Sequence, residues 1–189
     1  MCSDAARPVP PLNAVRRVVL GPALLLVAVW TGASAGWAVE PGATNRAAAL
    51  AADWLGRASP ASTLEIRGPL ARRVDELLGR SYPHATATYW REGARSAWLL
   101  SLPGKWGPVT AVFLVDDGRL CRVEILHHRE QRGRAVRNPG FLRQFEGAAL
   151  RPDLRMDRRI EGLSGATIST DAVRNMARLA LLLDAAARQ

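Results

Sequence analysis

The stretch Glu161-Gly162-Leu163-Ser164-Gly165-Ala166-Thr167-Ile168-Ser169-Thr170 carries the clearest chemistry in this sequence. Small residues dominate it, and it runs into an amphipathic helix. The first backbone N–H groups of a helix have no intrahelical partner, and the helix dipole favours an anion there. Gly165 and Ala166 leave room for a phosphate to approach the backbone, and Thr167 offers a hydroxyl at the same place. A phosphate held there and esterified to that hydroxyl is physically sensible. Read alone, however, Ser, Gly, Ala and Thr before a helix are also ordinary capping residues.

Other chemistry-bearing residues are few. Two cysteines cannot build a disulfide scaffold or a Cys-rich zinc site, and no C-x-x-C-H run marks haem attachment. The chain has three histidines, two of them adjacent at His127 and His128. Neighbours at a strand end point to opposite faces, so they read as an exposed or hydrogen-bonded pair. No metal ligand and no catalytic group is assigned.

The elements that must position Thr167 form an α+β arrangement, an antiparallel sheet with flanking helices. Arg46 to Leu55 is alanine-rich and helix-prone, with Gly56 as a stop, and Pro69 opens a second helix that Gly79 closes. From Ala85 the pattern turns to strands: ATATYWR, SAWLLSL, then PVTAVFLVD, in which Val109, Ala111, Phe113 and Val115 share a face. Asp117-Gly118 predicts a hairpin turn into RLCRVEILH, with Cys121, Val123 and Ile125 on one side. A charged loop over His127 to Arg137 leads to a short helix at Asn138-Pro139, with Phe141, Leu142 and Phe145 inward. The final helix buries Val173, Met176, Ala177 and Ala180; Ser169 or Thr170 can cap it, and Asp171 in the first turn suits its dipole.

One helix is expected ahead of this domain. Val18 to Val39 is uncharged over about 22 residues, enough to span a bilayer. Arg16 and Arg17 precede it, which keeps that end cytoplasmic. It reads as a transmembrane anchor or as a cleaved signal, since Ala33-Ser34-Ala35 resembles a peptidase site. The chain divides into a basic N-terminus (1–17), this segment (18–39), a linker and helical segment (40–80) and a main domain (81–189). Both readings place the main domain outside the cytoplasm, single-pass on the membrane or released. The formal net charge of +9 would suit nucleic acid, anionic lipid or an acidic partner, but export removes nucleic acid from that choice.

With the motif in view, the chain resembles the FMN-binding domains whose flavin is joined to a threonine by a phosphoester bond. They include flavin subunits of membrane ion-pumping redox complexes. Their motif reads acidic–x–x–Ser/Thr–Gly–Ala–Thr/Ser, matched here by Glu161, Ser164, Gly165, Ala166 and Thr167. The acidic position is usually aspartate in the family, and this chain has Glu161. Gly104-Lys105, the 109–126 hairpin, His128-x-Glu130-x-x-Gly133 and Phe141-Leu142-x-Gln144-Phe145-x-Gly147 resemble members that carry the domain behind one membrane helix. The loop after the hairpin departs from the ion-pump type, so the pump assignment does not carry over.

The resemblance implies Thr167 as acceptor of covalent FMN, attached by a separate magnesium-dependent flavin transferase that uses FAD as donor. Glu130 is then a candidate partner of the flavin ring or ribityl chain, or else a solvated loop carboxylate. Lys105 could sit near the flavin and favour its reduced anion, or be a surface charge. The function implied is a membrane-anchored extracytoplasmic electron carrier, a redox-complex subunit more than a stand-alone enzyme. Haem or iron–sulfur proteins would be its electron partners, because the chain has no signature for either centre. The competing function is an exported, non-redox interaction module in which the SGAT motif is only a helix cap.

Overall fold

The computed structural model describes residues 42–105, 107–129 and 136–189. The segment expected to be an anchor or signal, 18–39, lies outside the described residues, as do Trp106 and Glu130. Nine elements follow in order: α1 (Ala43–Leu55), β1 (Ser62–Glu65), α2 (Gly68–Leu78), β2 (Thr86–Glu92), β3 (Arg95–Pro103), β4 (Pro108–Asp116), β5 (Arg119–His127), α3 (Pro139–Arg143) and α4 (Thr167–Ala186).

The strands form one antiparallel meander in chain order, as the alternating patterns predict. The β4–β5 turn is at Asp117-Gly118, whose φ values of 45 and 74 are both positive. A tight hairpin requires such values, and Asp-Gly supplies them at low cost. β1 was not expected. Its four residues, STLE, are mostly exposed and pair with β2 at the sheet edge, so they carry no apolar alternation to read.

The sheet is covered on both faces, which is why β4 reads as an almost continuous apolar run and is buried along its length. Trp98, Leu100, Val109, Phe113, Val123 and Ile125 face α4 and α2. Leu99, Val112, Leu114 and Leu126 face α1, which meets them with Ala43, Ala47, Ala51 and Leu55. That four-residue spacing puts small side chains on one helical stripe, so α1 can lie close to the sheet.

The expected side for Cys121 is corrected. Leu114 pairs with Arg122 but Val115 pairs with Leu120, so Cys121 is the extra residue of a bulge. A second bulge falls at Leu126, between the Thr110–His127 and Ala111–Ile125 pairs. Leu120 therefore joins Val123 and Ile125 in the core under α4, and Leu126 turns to the α1 side.

After the hairpin, Asn138 caps α3 through its Oδ1, which accepts from the Gly140 N–H at 2.7 Å. Phe141 and Phe145 are buried edge to face, their centroids 5.3 Å apart. The chain then runs back along β5, where the Gly147 N–H donates to Leu120 O and the Leu120 N–H to Ala148 O. The irregular stretch that follows is held by side chains. Arg158 donates to Glu146 O at 2.9 Å, Arg178 Nε to Leu154 O at 2.7 Å, and Arg174 to Ile160 O. Gln144 Oε1 accepts from the Glu161 N–H at 2.6 Å. These bonds deliver the chain to the start of α4.

Candidate functional site

Ser164 and Gly165 form a turn, closed by the Ala166 N–H donating to Leu163 O at 3.1 Å. Gly165 has φ +79, a value that a third-position glycine accepts without the strain of a side chain. Helix α4 begins at once. Its first backbone bond runs from the Thr170 N–H to Ala166 O, and the N-cap residue, Ala166, has no side chain to cap the end. The N–H groups of Thr167, Ile168 and Ser169 therefore have no acceptor within the helix.

The expected cap is corrected. Ser169 and Thr170 lie inside the first turn and are fully buried, and the Thr170 hydroxyl donates back to Ala166 O at 2.9 Å. Asp171 falls beyond the first turn and pairs with Arg174 at 2.9 Å. The helix starts earlier than expected because the Leu163–Ala166 turn already aims the chain along its axis.

Two cavities meet at Thr167, whose side chain is exposed. One, of about 210 Å³, is lined by Lys105 and residues 165–169. The other, of about 240 Å³, is lined by residues 162–164, Thr167, Thr170 and Arg174. The tertiary structure thus brings Lys105, Ser164, Gly165, Ala166 and Thr167 together, with a cation lining each of the two cavities that Thr167 lines. Glu161 lines neither cavity. Its exposed carboxylate pairs with Arg159 Nε at 2.9 Å. Glu130 lies outside the described residues.

The Gly104 loop packs tightly under this end of α4. The Gly104 N–H donates to Gly107 O at 2.8 Å. A Cβ on Gly104 would lie 2.9 Å from Gly107 O, 3.0 Å from a Val109 methyl and 3.6 Å from Ser169 Oγ. His128 Nε2 lies 3.2 Å from the same Ser169 Oγ, tying the end of β5 to α4. Gly104→Ala is therefore expected to cost about 1–3 kcal/mol, because the crowded atoms are backbone and core. A urea midpoint equal to that of the wild type would show that the loop yields freely.

Sequence reasoning missed three contributors. Ile168 is the large aliphatic side chain left exposed among the described residues, at 51%, and it lines the cavity with Lys105. It lies off the buried stripe of α4, and an apolar residue on a polar helix face is a signal that could have found it. Arg174 lies two turns after Thr167, a spacing that puts both on one side of the helix. Ser169 had no signal beyond its place near the helix start. Among the described residues no three His, Cys, Asp or Glu side chains gather as a metal site would require.

These groups suit a ligand with an anionic end and an apolar body. The uncapped N–H groups, Lys105 and Arg174 favour negative charge at Thr167, and Ile168 offers an apolar surface beside it. Compared with known proteins, residues 104–182 match the family model described as FMN-binding domain. The match begins at Gly104 and ends within α4, so it spans both walls of the Lys105 cavity. Neither the comparison with curated proteins nor that with solved structures gives a match.

Proposed function

We propose, from the premise that residues 104–182 place this chain in the FMN-binding domain family, that it is an extracytoplasmic electron-transfer flavoprotein with FMN esterified to Thr167. Family membership makes FMN the cofactor. The covalent bond, the location and the redox role are our reading. One observation carries it: an exposed hydroxyl at an uncapped helix N-terminus, with a cation-bearing cavity on each side. If the motif were only a helix cap, a Ser164 or Thr167 hydroxyl would accept from the first-turn N–H groups; the N-cap position is instead Ala166, which offers no side-chain acceptor.

In this reading each residue has a task. The Thr167, Ile168 and Ser169 N–H groups and Lys105 hold the phosphate. Arg174 faces it from the other cavity. Gly165 keeps the turn open, and Ile168 supports an apolar part of the flavin. FMN, when bound, supplies one- and two-electron chemistry. The protein fixes its position and adds positive charge, which favours a reduced, anionic ring. Glu161 is exposed and lines neither cavity, which suits recognition by the transferase better than contact with the flavin.

Attachment transfers the FMN moiety of FAD to the Thr167 oxygen. The phosphoester forms, the pyrophosphate link breaks, AMP leaves, and the hydroxyl proton is lost to solvent or to the transferase. Covalent attachment matters outside the cytoplasm, where free FMN is scarce and a dissociated flavin is lost. The segment 18–39 would anchor the domain to the membrane, and haem or iron–sulfur proteins would exchange electrons with it.

The test is the intact mass of full-length protein co-expressed with a flavin transferase. It should exceed the polypeptide mass by one FMN less one water, and flavin fluorescence should survive denaturation. A colourless protein of bare polypeptide mass from cells with active transferase would overturn the reading.

A further inference from the structure

A third cavity, of about 370 Å³, lies away from the SGAT turn. It lies one helical turn further along α4 and is lined by Met156, Ile160 and Asn175 together with Arg158, Arg174, Arg178 and Asp171. Three guanidinium groups and one carboxylate leave it with a local charge of +2. Arg178 makes its hydrogen bonds to Leu154 O and to Asn175 Oδ1, at 2.7 and 3.1 Å, both uncharged acceptors. Arg158 donates to Glu146 O and Gly147 O. Its nearest carboxylate, Asp157 at 3.4 Å, is also approached by Arg119 at 3.5 Å. Arg174 donates to Ile160 O and pairs with Asp171.

Backbone carbonyls thus help to fix all three guanidinium groups, and among the described residues that line the cavity Asp171 is the one carboxylate, paired with Arg174. Each guanidinium group has five donors and keeps at least two for a ligand. Arg174 and Arg178 are half-buried and Arg158 is exposed; guanidinium groups of one sign held by such bonds suit multiply charged oxyanions, since part of their side-chain freedom is already lost. The local electrostatics agree: burial first, and then the charge of Arg155, pull Arg178 below its ordinary guanidinium value.

We propose that the Arg158–Arg174–Arg178 cavity is a second anion site, taking a doubly charged oxyanion such as a free phosphate group and separate from the Thr167 attachment point. Two negative charges match its +2. Met156 and Ile160 give it an apolar side, so an organic phosphate with a short apolar portion fits better than a bare ion. Arg174 lines both this cavity and the one beside Thr167, which connects the two sites.

The test is calorimetric titration of the full chain in detergent with inorganic phosphate, at constant ionic strength set with chloride. Protein made without the transferase is used first, so the result does not depend on whether Thr167 is ever modified. Saturable binding is expected, weakened about tenfold or more by Arg178→Gln and by Arg158→Gln, as the loss of a charge-assisted contact implies. Arg158→Gln removes no bond to the 154 loop, so it stays informative if Arg178→Gln does not fold. Absence of saturable binding, a response that chloride reproduces, or a well-folded Arg158→Gln that binds phosphate as the wild type does would each overturn the proposal. Flavinylated protein is titrated next. Retained binding supports a separate site. Binding lost on flavinylation would show that the flavin's own phosphate fills the cavity, and would overturn that separation.

Discussion

Thr167→Ala is expected to remove all covalently held flavin from protein co-expressed with the transferase. The mass increment and the fluorescence of denatured protein should both fall to background. The loss should be complete because the bond requires a side-chain oxygen, and no other hydroxyl matches its position. Ser169 and Thr170 are fully buried, and Thr170 already donates to Ala166 O. Ser164 is exposed and lines one of the cavities, but it sits in the turn ahead of the unpartnered N–H groups. Thr167→Ser keeps an oxygen at the same place and should retain flavin, whereas a structural role for the threonine methyl would make serine as poor as alanine. Stability should change little, because Thr167 is exposed and makes no capping bond. Flavin retained by the alanine variant would move the acceptor elsewhere and remove the basis of the proposed function.

The second large effect lies at the other end of α4. Asp184 is fully buried, and it accepts from Ser96 Oγ at 2.6 Å, from Arg91 at 2.8 Å and from Arg188. Trp98 Nε1 donates to the same Ser96 Oγ at 2.9 Å, which extends the network into the core. Asp184→Ala would leave the buried Ser96 hydroxyl without its acceptor and take the carboxylate from Arg91 and Arg188, which keep the backbone Asp184 O at 3.3 Å and Asp117 Oδ1 at 3.0 Å, respectively. We expect it to cost about 3 kcal/mol, the lower end of the range for breaking a buried ion pair, because Arg91 and Arg188 keep some access to water. Asp184→Asn preserves the volume and one acceptor and should cost less. Urea denaturation measures both. A loss below about 1 kcal/mol for the alanine variant would mean that water replaces the carboxylate at little cost. The network matters to the site because it fixes the C-terminal end of the helix whose N-terminal end carries Thr167.

Much of this architecture is legible without coordinates. The hairpin follows from Asp117-Gly118 between two alternating runs, and the Asp116–Arg119 pair that closes the turn and its positive φ values agree with that reading. Phe113, Phe141 and Phe145 are in the core as expected. Helix stops at Gly56 and Gly79 are visible because glycine adopts positive φ readily. The bulges at Cys121 and Leu126 are not visible. A bulge changes which face a residue meets without changing residue type, so alternation alone assigns Cys121 to the wrong side. β1 is equally silent, because an exposed edge strand is held by backbone bonds to its neighbour and needs no apolar pattern.

By itself the sequence determined that a hydroxyl follows small residues at the start of a helix, and it placed that helix after an antiparallel sheet. These are local facts, governed by turn chemistry and side-chain period within a few residues. Only the tertiary structure decided what surrounds the hydroxyl. Lys105 arrives from a loop about sixty residues upstream, Ile168 is left exposed by the way α4 rolls on the sheet, and Arg174, bonded to Ile160 O, lines a cavity with Thr167. Such convergence depends on how a helix packs across strands, and packing is settled by the whole core at once, not by any segment alone.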